Sequence, residues 1–213
     1  MNSDTLIFDF DGTIADTFHQ IVAISNALAG EFNFKLIEPH ELESLKNKTT
    51  HEVILHLGVP MMKIPKIVAR AKEELYKTMS TVQPVQGLHD TLLQLKKLGY
   101  ELGILTSNSS ENVTKFLEKH ELNFFDFIMT TSKIWSKNTG LNKLMEDKKL
   151  NPGQVIYIGD ETRDIEAAKK AGVKIAAVTW GYNSTKALQA RKPDYIFNKP
   201  EELVELSQSS THA

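Results

Sequence analysis

Short runs of apolar residues recur along the 213-residue chain, separated by polar stretches with helical spacing. The runs are Leu6–Phe10, Leu102–Leu105, Phe127–Met129, Val155–Ile158, Ile175–Val178 and the shorter Tyr195–Phe197. Runs that are apolar throughout, rather than alternating, are typical of strands buried on both faces of a sheet. Because helix-like segments lie between them, the pattern predicts an α/β fold with a Rossmann-like parallel sheet core and a short last strand at its edge.

The interval between Thr13 and Pro84 breaks this alternation. It contains about 70 residues without a strand-like run, far too many for a plain crossover connection. Apolar residues recur there at helical spacing, as in Ile64, Ile67, Val68, Ala71 and Leu75. We therefore predict a helical insert of about four helices, residues 16–83, within a sheet domain formed by residues 1–15 and 84–213.

Composition and charge restrict the classes of function. The formal net charge of -2 gives no basic surface for nucleic acid, so we expect no such partner. The absence of cysteine excludes disulfides, thiolate metal sites and a cysteine nucleophile. No apolar run approaches the roughly 18 residues that cross a bilayer, and Met1–Asp4 lacks the positive region of a signal peptide. We expect a cytoplasmic protein without a membrane partner; its oligomeric state is not predicted.

Two aspartates end the first apolar run, in the sequence Ile7-Phe8-Asp9-Phe10-Asp11-Gly12-Thr13. Burying one unpaired ionised carboxylate costs at least several kcal/mol. The rest of the chain must therefore supply a counter-charge. In parallel sheets, ligands bind outside the carboxyl ends of the strands, so the residues that follow the other strands are the candidates.

Polar residues do follow three other predicted strands. The second strand ends in Thr106-Ser107-Asn108, Lys137 comes shortly after the third, and the fourth ends in Gly159-Asp160-Glu161, with Asp164 one turn further. The carboxylates among them can share a divalent cation, and hard oxygen ligands favour Mg²⁺. The serines after Asn108 also suit a helix N-cap, and Ser109 or Ser110 is expected to be one.

In their order along the chain, these residues match the four motifs of the haloacid dehalogenase-like phosphohydrolases. The helical insert resembles the first-type cap of that superfamily, and the resemblance covers nearly the whole chain. From average residue frequencies, Asp-x-Asp-Gly-Thr alone arises by chance at roughly the few-per-thousand level in a chain this long. Within the superfamily, the segments 178–183 and 193–196 look most like phosphoglycolate phosphatases.

The resemblance implies a reaction and a role for each of the first two aspartates. The chain would be a magnesium-dependent phosphatase that hydrolyses a small, phosphoglycolate-like phosphomonoester, a small phosphorylated metabolite. Asp9 would attack phosphorus and form an aspartyl-phosphate. Asp11 would protonate the leaving alcohol and then deprotonate the hydrolytic water. The turn at Gly12-Thr13 would let the Asp11 side chain swing in while its main-chain oxygen faces the metal.

The same resemblance implies the binding groups. The phosphate would be held by Thr106, Ser107, Asn108 and Lys137, with backbone N–H groups near Asn108. The metal ligands would be Asp9, the main-chain oxygen of Asp11, Asp160 and Asp164, although Asp164 could instead be the partner of Lys137. The family usually has proline after this lysine, whereas Asn138 follows here, so Lys133 and Lys143 are alternatives.

Two other functions are compatible with these motifs. A phosphomutase of the β-phosphoglucomutase type would have a basic cap residue where this chain has Thr50, although Lys46 and Lys48 are near it. A non-catalytic regulator phosphorylated on an aspartate, like a receiver domain, would give neither Asp11 nor the helical insert a task. The insert is expected to set substrate specificity, and it carries the fewest motifs.

Overall fold

The structure, a computed structural model, describes residues 4–131 and 137–209. Its strands are β1 (Thr5–Phe8), β2 (Glu101–Thr106), β3 (Phe127–Thr130), β4 (Val155–Gly159), β5 (Lys174–Val178) and β6 (Tyr195–Phe197). The six strands form one sheet in the order β3-β2-β1-β4-β5-β6, and all neighbouring pairs are parallel. The predicted parallel sheet is confirmed, with the short β6 at its edge.

Helices fill the intervals between the strands. They are α1 (Phe18–Phe32), α2 (Leu42–Leu45), α3 (Thr50–His56), α4 (Ile64–Thr78), α5 (Leu88–Lys97), α6 (Ser110–Lys119), α7 (Lys137–Lys148), α8 (Thr162–Ala171), α9 (Thr185–Ala190) and α10 (Leu206–Ser209). Within the described ranges, no helix combines the length and the apolar character needed to cross a bilayer.

The sheet is covered on both faces, because alternate residues of a strand point to opposite sides. Leu6 and Phe8 of β1 belong to one apolar core, with Leu92 of α5 and Phe116 of α6. Ile7 belongs to a second core, which includes residues of α7, α8 and α9. Burial on both faces explains why the strands read as continuous apolar runs.

The register of the central strands places the predicted site residues at one rim. Phe8, the last residue of β1, lies level with Ile104 of β2 and Ile158 of β4. The residues that follow these three positions therefore emerge side by side at the carboxyl ends of the strands. The rim lies between Thr106 on one side and Asp160 on the other.

Helices α1 to α4 all lie between β1 and α5 along the chain. The two connections to them run side by side: the Asp16 N–H donates to the Gln83 carbonyl at 3.0 Å, and the Val85 N–H donates to the Ile14 carbonyl at 3.0 Å. The long helices α1 and α4 pack against each other. We propose the division predicted from the sequence, with residues 16–83 as the helical insert, because these paired connections mark its two ends.

Candidate active site

The chain turns sharply after β1. The Asp9 N–H extends the ladder by donating to the Ile158 carbonyl at 2.8 Å, and the Gly12 N–H then donates to the Ala15 carbonyl at 2.8 Å. Gly12 has a φ of 79°, and a Cβ there would overlap a carboxylate oxygen of Asp160 and the ring of Tyr182. Glycine is therefore required on both conformational and steric grounds.

Lys137 supplies the counter-charge that the buried aspartates require. Its Nζ lies between Asp9 and Asp164 and forms an ion pair with each of them. The side chain is only 3% exposed, at the first position of α7. Of the alternatives, Lys143 is exposed on the same helix, and Lys133 lies outside the described residues. Lys137 thus pairs with Asp164 as well as with Asp9.

Asp9, Asp160 and Asp164 form a buried acidic cluster. Each offers one carboxylate oxygen, and these oxygens lie within 4.8 Å of one another. Asp160 is held in place by the Thr13 hydroxyl, which donates to its Oδ1 at 2.6 Å, and by the Tyr182 N–H, which donates to its Oδ2 at 2.7 Å. Asp164 also accepts from the Glu161 N–H at 3.0 Å.

The charges in this cluster do not balance. Burial, with repulsion from Glu161, Asp164 and Asp9, raises the pKa of Asp160 well above its ordinary value. Burial likewise raises the pKa of Asp164 to about 6, against the opposing effect of Lys137. Close, buried carboxylates of this kind repel one another unless a cation lies between them. Three buried carboxylate ligands with hard oxygen donors fit a divalent cation such as Mg²⁺.

Asp11 occupies a different environment from these three acids. Its two carboxylate oxygens accept hydrogen bonds from Nδ2 of Asn108, at 3.1 and 3.0 Å. Burial raises the pKa of Asp11, although hydrogen bonds from Thr17 and Asn108 act in the opposite direction. The Asp11 side chain is not a member of the acidic cluster. A carboxyl group with a raised pKa, outside the cluster, is suited to holding a proton.

The segment after β2 is organised by internal hydrogen bonds. The Asn108 N–H donates to Oγ1 of Thr106 at 3.0 Å, and the Ser109 N–H donates to Oδ1 of Asn108 at 2.7 Å. Ser109 caps α6, as predicted, by accepting from the Asn112 N–H at 3.2 Å. The backbone N–H groups of Asn108 and Ser109, in the segment predicted to bind phosphate, thus have internal partners here. Thr106 Oγ1 acts as an acceptor in this bond, so its hydroxyl hydrogen remains available to donate.

Several residues around the rim make contacts that the sequence did not predict. Thr13 belongs to the first motif, but its bond to Asp160 joins residues 147 positions apart and leaves no local signal. Glu161 accepts a hydrogen bond from Arg163 at 2.8 Å beside the acidic cluster. Lys72 of α4 is half-buried. Burial lowers its pKa, although the charge of Asp11 acts in the opposite direction.

One short segment of the helical insert, residues 46–50, makes several hydrogen bonds to the rim. Nδ2 of Asn183 donates to the carbonyls of Lys46 and Lys48, both at 2.9 Å. The Thr50 hydroxyl donates to Oε2 of Glu161 at 2.9 Å. Thr50 is the position where the resemblance placed the basic residue of a mutase, and in this chain its hydroxyl binds a carboxylate of the sheet domain.

Comparison with known families gives one match that covers most of the chain. The model of the family described as "Haloacid dehalogenase-like hydrolase" matches residues 6–178. This range runs from β1 to the end of β5 and includes the whole helical insert and every predicted site residue.

Individual proteins match over nearly the same length. The chain is 34% identical to a phosphoglycolate phosphatase of Synechococcus elongatus over 201 residues, which cover 94% of this chain and 95% of that protein. It is 24% identical to the pyrophosphatase PpaX of Bacillus mycoides, with 96% of each chain covered. A solved structure of a haloacid dehalogenase-like family hydrolase from Streptococcus pneumoniae superimposes with a TM-score of 0.80 at 22% identity, covering 96% of this chain and 98% of the other. The last similarity concerns the fold.

Proposed function

The chain belongs to the haloacid dehalogenase-like hydrolase family, and from this we propose that it is a magnesium-dependent phosphatase acting on a small phosphomonoester. The observation that carries the proposal is the pairing of two differently held aspartates at one rim. Asp9 lies in the acidic cluster beside Lys137, whereas Asp11 is held by Asn108 outside it. Two carboxylates in separate environments can perform two different tasks.

Asp9 is proposed as the nucleophile. Its Oδ1 accepts from the Phe10 N–H at 2.8 Å, and its Oδ2 pairs with Lys137, so the carboxylate is fixed in orientation. Attack on phosphorus would form an aspartyl-phosphate and release the alcohol. Lys137 would neutralise part of the negative charge of the phosphate, together with the hydroxyl of Thr106 and the polar groups of Ser107 and Asn108.

Asp11 is proposed as the acid and base. Burial raises the pKa of Asp11, and the protonated carboxyl group would give its proton to the departing alkoxide oxygen. The carboxylate formed in that step would then take a proton from the water that attacks the aspartyl-phosphate. Nδ2 of Asn108 would hold the carboxyl group in place through both half-reactions.

We assign the metal ligands to Asp9, Asp160 and Asp164, with the main-chain oxygen of Asp11 as a further ligand. When bound, Mg²⁺ would supply positive charge that offsets the negative charge of the phosphate and of the acids. In this assignment Asp164 has two tasks, because it also holds Lys137.

The metal assignment predicts a gain in stability and in activity. Excess chelator is expected to lower phosphatase turnover at least tenfold, and added Mg²⁺ is expected to restore it. Because the cation would bind the native state and relieve repulsion between buried acids, it should raise the melting temperature by several degrees. The Asp160→Asn variant should lose most of this thermal shift. Full turnover in excess chelator would contradict the assignment.

A second prediction concerns the glycine that closes over Asp160. A Cβ on Gly181 would overlap the Cβ, Cγ and Oδ2 atoms of Asp160, which cannot move without leaving the cluster. Gly181→Ala is expected to lower turnover at least tenfold and to raise the magnesium concentration needed for half-maximal activity. Gly30→Ala is the control, since a Cβ there meets nothing within 4 Å. Equal activity of the two variants would show that Asp160 need not hold this position.

The substrate proposed from the relatives is a phosphoglycolate-like ester, because the S. elongatus protein carries that name. We further propose a cytoplasmic location.

The β-phosphoglucomutase type of reaction gains no support from Thr50, whose hydroxyl contacts Glu161. A non-catalytic regulator would give Asp11 no task. A panel of small phosphate esters, assayed with magnesium for released phosphate, tests the proposed activity and separates it from both alternatives.

A further inference from the structure

A cavity of about 360 Å³ opens beside the Asp11 carboxylate and extends into the helical insert. On the sheet-domain side its lining consists of the residues that form the rim: Asp11, Ser107, Asn108, Glu161, Arg163, Tyr182 and Asn183. The cavity therefore reaches the candidate active site on the side of Asp11 and Asn108. Its volume falls in the range of small-molecule binding sites in proteins.

The polar lining residues of the insert lie near the sheet domain. Lys46, Lys48 and Thr50 belong to the segment that contacts the rim, and the Lys72 carbonyl accepts a hydrogen bond from Asn112 of α6 at 3.2 Å. Apart from these four, Ser25 is the polar residue among the insert residues that line the cavity. The others are apolar, and they include Val53 and Ile54 of α3 and Ile67, Val68, Ala71 and Leu75 of α4.

The apolar lining is only partly buried. Val53 and Ile54 of α3 and Ile67, Val68 and Ala71 of α4 all retain intermediate exposure, although they face the interior of the insert. Side chains in a filled core would be close-packed and inaccessible. Entry of an apolar group into such a cavity is favourable, because it removes apolar surface of both the group and the lining from water.

We propose that the substrates of the phosphatase include phosphomonoesters of alcohols with an uncharged, apolar organic group, which the cavity encloses while Asp9 and Lys137 receive the phosphate. This inference rests on the proposed function and adds a substrate class to the phosphoglycolate-like ester proposed above. A charged group that extended from the phosphate into the aliphatic part of the cavity would lose its hydration there, whereas an apolar group would not incur this cost. The lysines that line the cavity are Lys46, Lys48 and Lys72, and the backbone carbonyl of each accepts a hydrogen bond from the sheet domain.

A homologous series of straight-chain alkyl phosphates, from ethyl to hexyl phosphate, tests the proposal. The leaving alcohols differ little in acidity, so the chemical step is nearly constant and chain length mainly reports burial. We expect kcat/KM to rise by about fourfold for each added methylene, which corresponds to transfer of that group out of water. Phosphoglycolate is assayed beside the series as the short, charged comparison.

Two alanines of α4 give a matched pair of variants. Ala71 lines the cavity, whereas Ala69 lies two residues earlier on the exposed side of the helix. We expect Ala71→Phe to fill the cavity and to reduce the gain across the whole series to less than twofold, with ethyl phosphate still hydrolysed. Ala69→Phe should retain the wild-type gain. Val68→Ala, which enlarges the cavity, should extend the gain in kcat/KM to longer chains. It tests the cavity independently if Ala71→Phe fails to fold.

The outcomes separate this inference from the proposed function. Hydrolysis of ethyl phosphate and phosphoglycolate without any gain along the series would overturn the apolar substrate class and leave the phosphatase proposal standing. A chain-length gain that persists unchanged in Ala71→Phe would place the apolar group outside this cavity and overturn the inference. Failure to hydrolyse any ester, including p-nitrophenyl phosphate, with magnesium present would overturn the phosphatase proposal itself.

Discussion

The Asp9→Asn variant is expected to lose at least a thousandfold in phosphatase turnover while keeping its fold. A neutral amide is too poor a nucleophile to attack phosphorus, so the aspartyl-phosphate cannot form. A thousandfold loss corresponds to about 4 kcal/mol of transition-state stabilisation. The fold should persist because Lys137 keeps its ion pair with Asp164, and the acidic cluster loses one of its repelling charges.

The measurement is steady-state turnover of a small phosphate ester, with circular dichroism as the check on folding. Asp90→Asn is a matched control, since its side chain is 84% exposed and lies on α5 away from the rim. The control should behave as the wild type. If Asp9→Asn kept more than roughly a tenth of wild-type turnover, covalent catalysis at Asp9 would be untenable.

The sheet and its rim could be predicted because local pattern and spatial position coincide there. Continuous apolar runs predict strands buried on both faces, and parallel strands bring their carboxyl ends to one edge. Asp9 and Asp11 follow β1, Thr106 ends β2 and Asp160 follows β4. These three strands are neighbours in the sheet, so the proximity of the four residues follows from topology alone. Burial of the aspartates also requires a positively charged group nearby, and Lys137 is such a group.

The contacts that distinguish Asp9 from Asp11 could not be predicted in the same way. Asn108 was expected to bind phosphate, yet its amide holds Asp11, and Asn112 in turn holds Asn108 through a bond of 2.8 Å. Thr13 and Tyr182 hold Asp160 from opposite ends of the chain. These bonds depend on side-chain rotamers and on loop paths after the strands, for which the sequence contains no periodic signal.

The helical insert was predicted as helices but not as the wall of a cavity. An aliphatic residue at helical spacing indicates a face turned away from solvent, whether that face meets a packed core or an open space. Ile67 and Leu75 lie on the same helix, and Leu75 is 2% exposed whereas Ile67 retains intermediate exposure. The sequence pattern is the same for both. Which side chains stay accessible depends on how α1, α3 and α4 are spaced.

Asp11→Asn is expected to separate the two half-reactions. With an ordinary alkyl phosphate, turnover should fall at least a hundredfold, because the leaving alkoxide needs the proton that Asp11 would donate. With p-nitrophenyl phosphate or acetyl phosphate the leaving group needs that proton much less. Asp9 should then still become phosphorylated, while the aspartyl-phosphate is hydrolysed slowly because the attacking water has no base.

The expected trace with a good leaving group is a burst of about one equivalent of product followed by slow turnover, as for any accumulating covalent intermediate. Asp16→Asn is the control, because Asp16 is exposed and lies just beyond the same turn. It should show no burst and near-normal turnover. The Asn108 amide can still donate to the carbonyl oxygen of the new side chain, so its position should be largely kept. Equal losses of turnover with good and poor leaving groups, without a burst, would contradict this role of Asp11. Asp11 would then serve the metal site or the turn after β1, and Asp9 would be the one carboxylate of this segment with a chemical role.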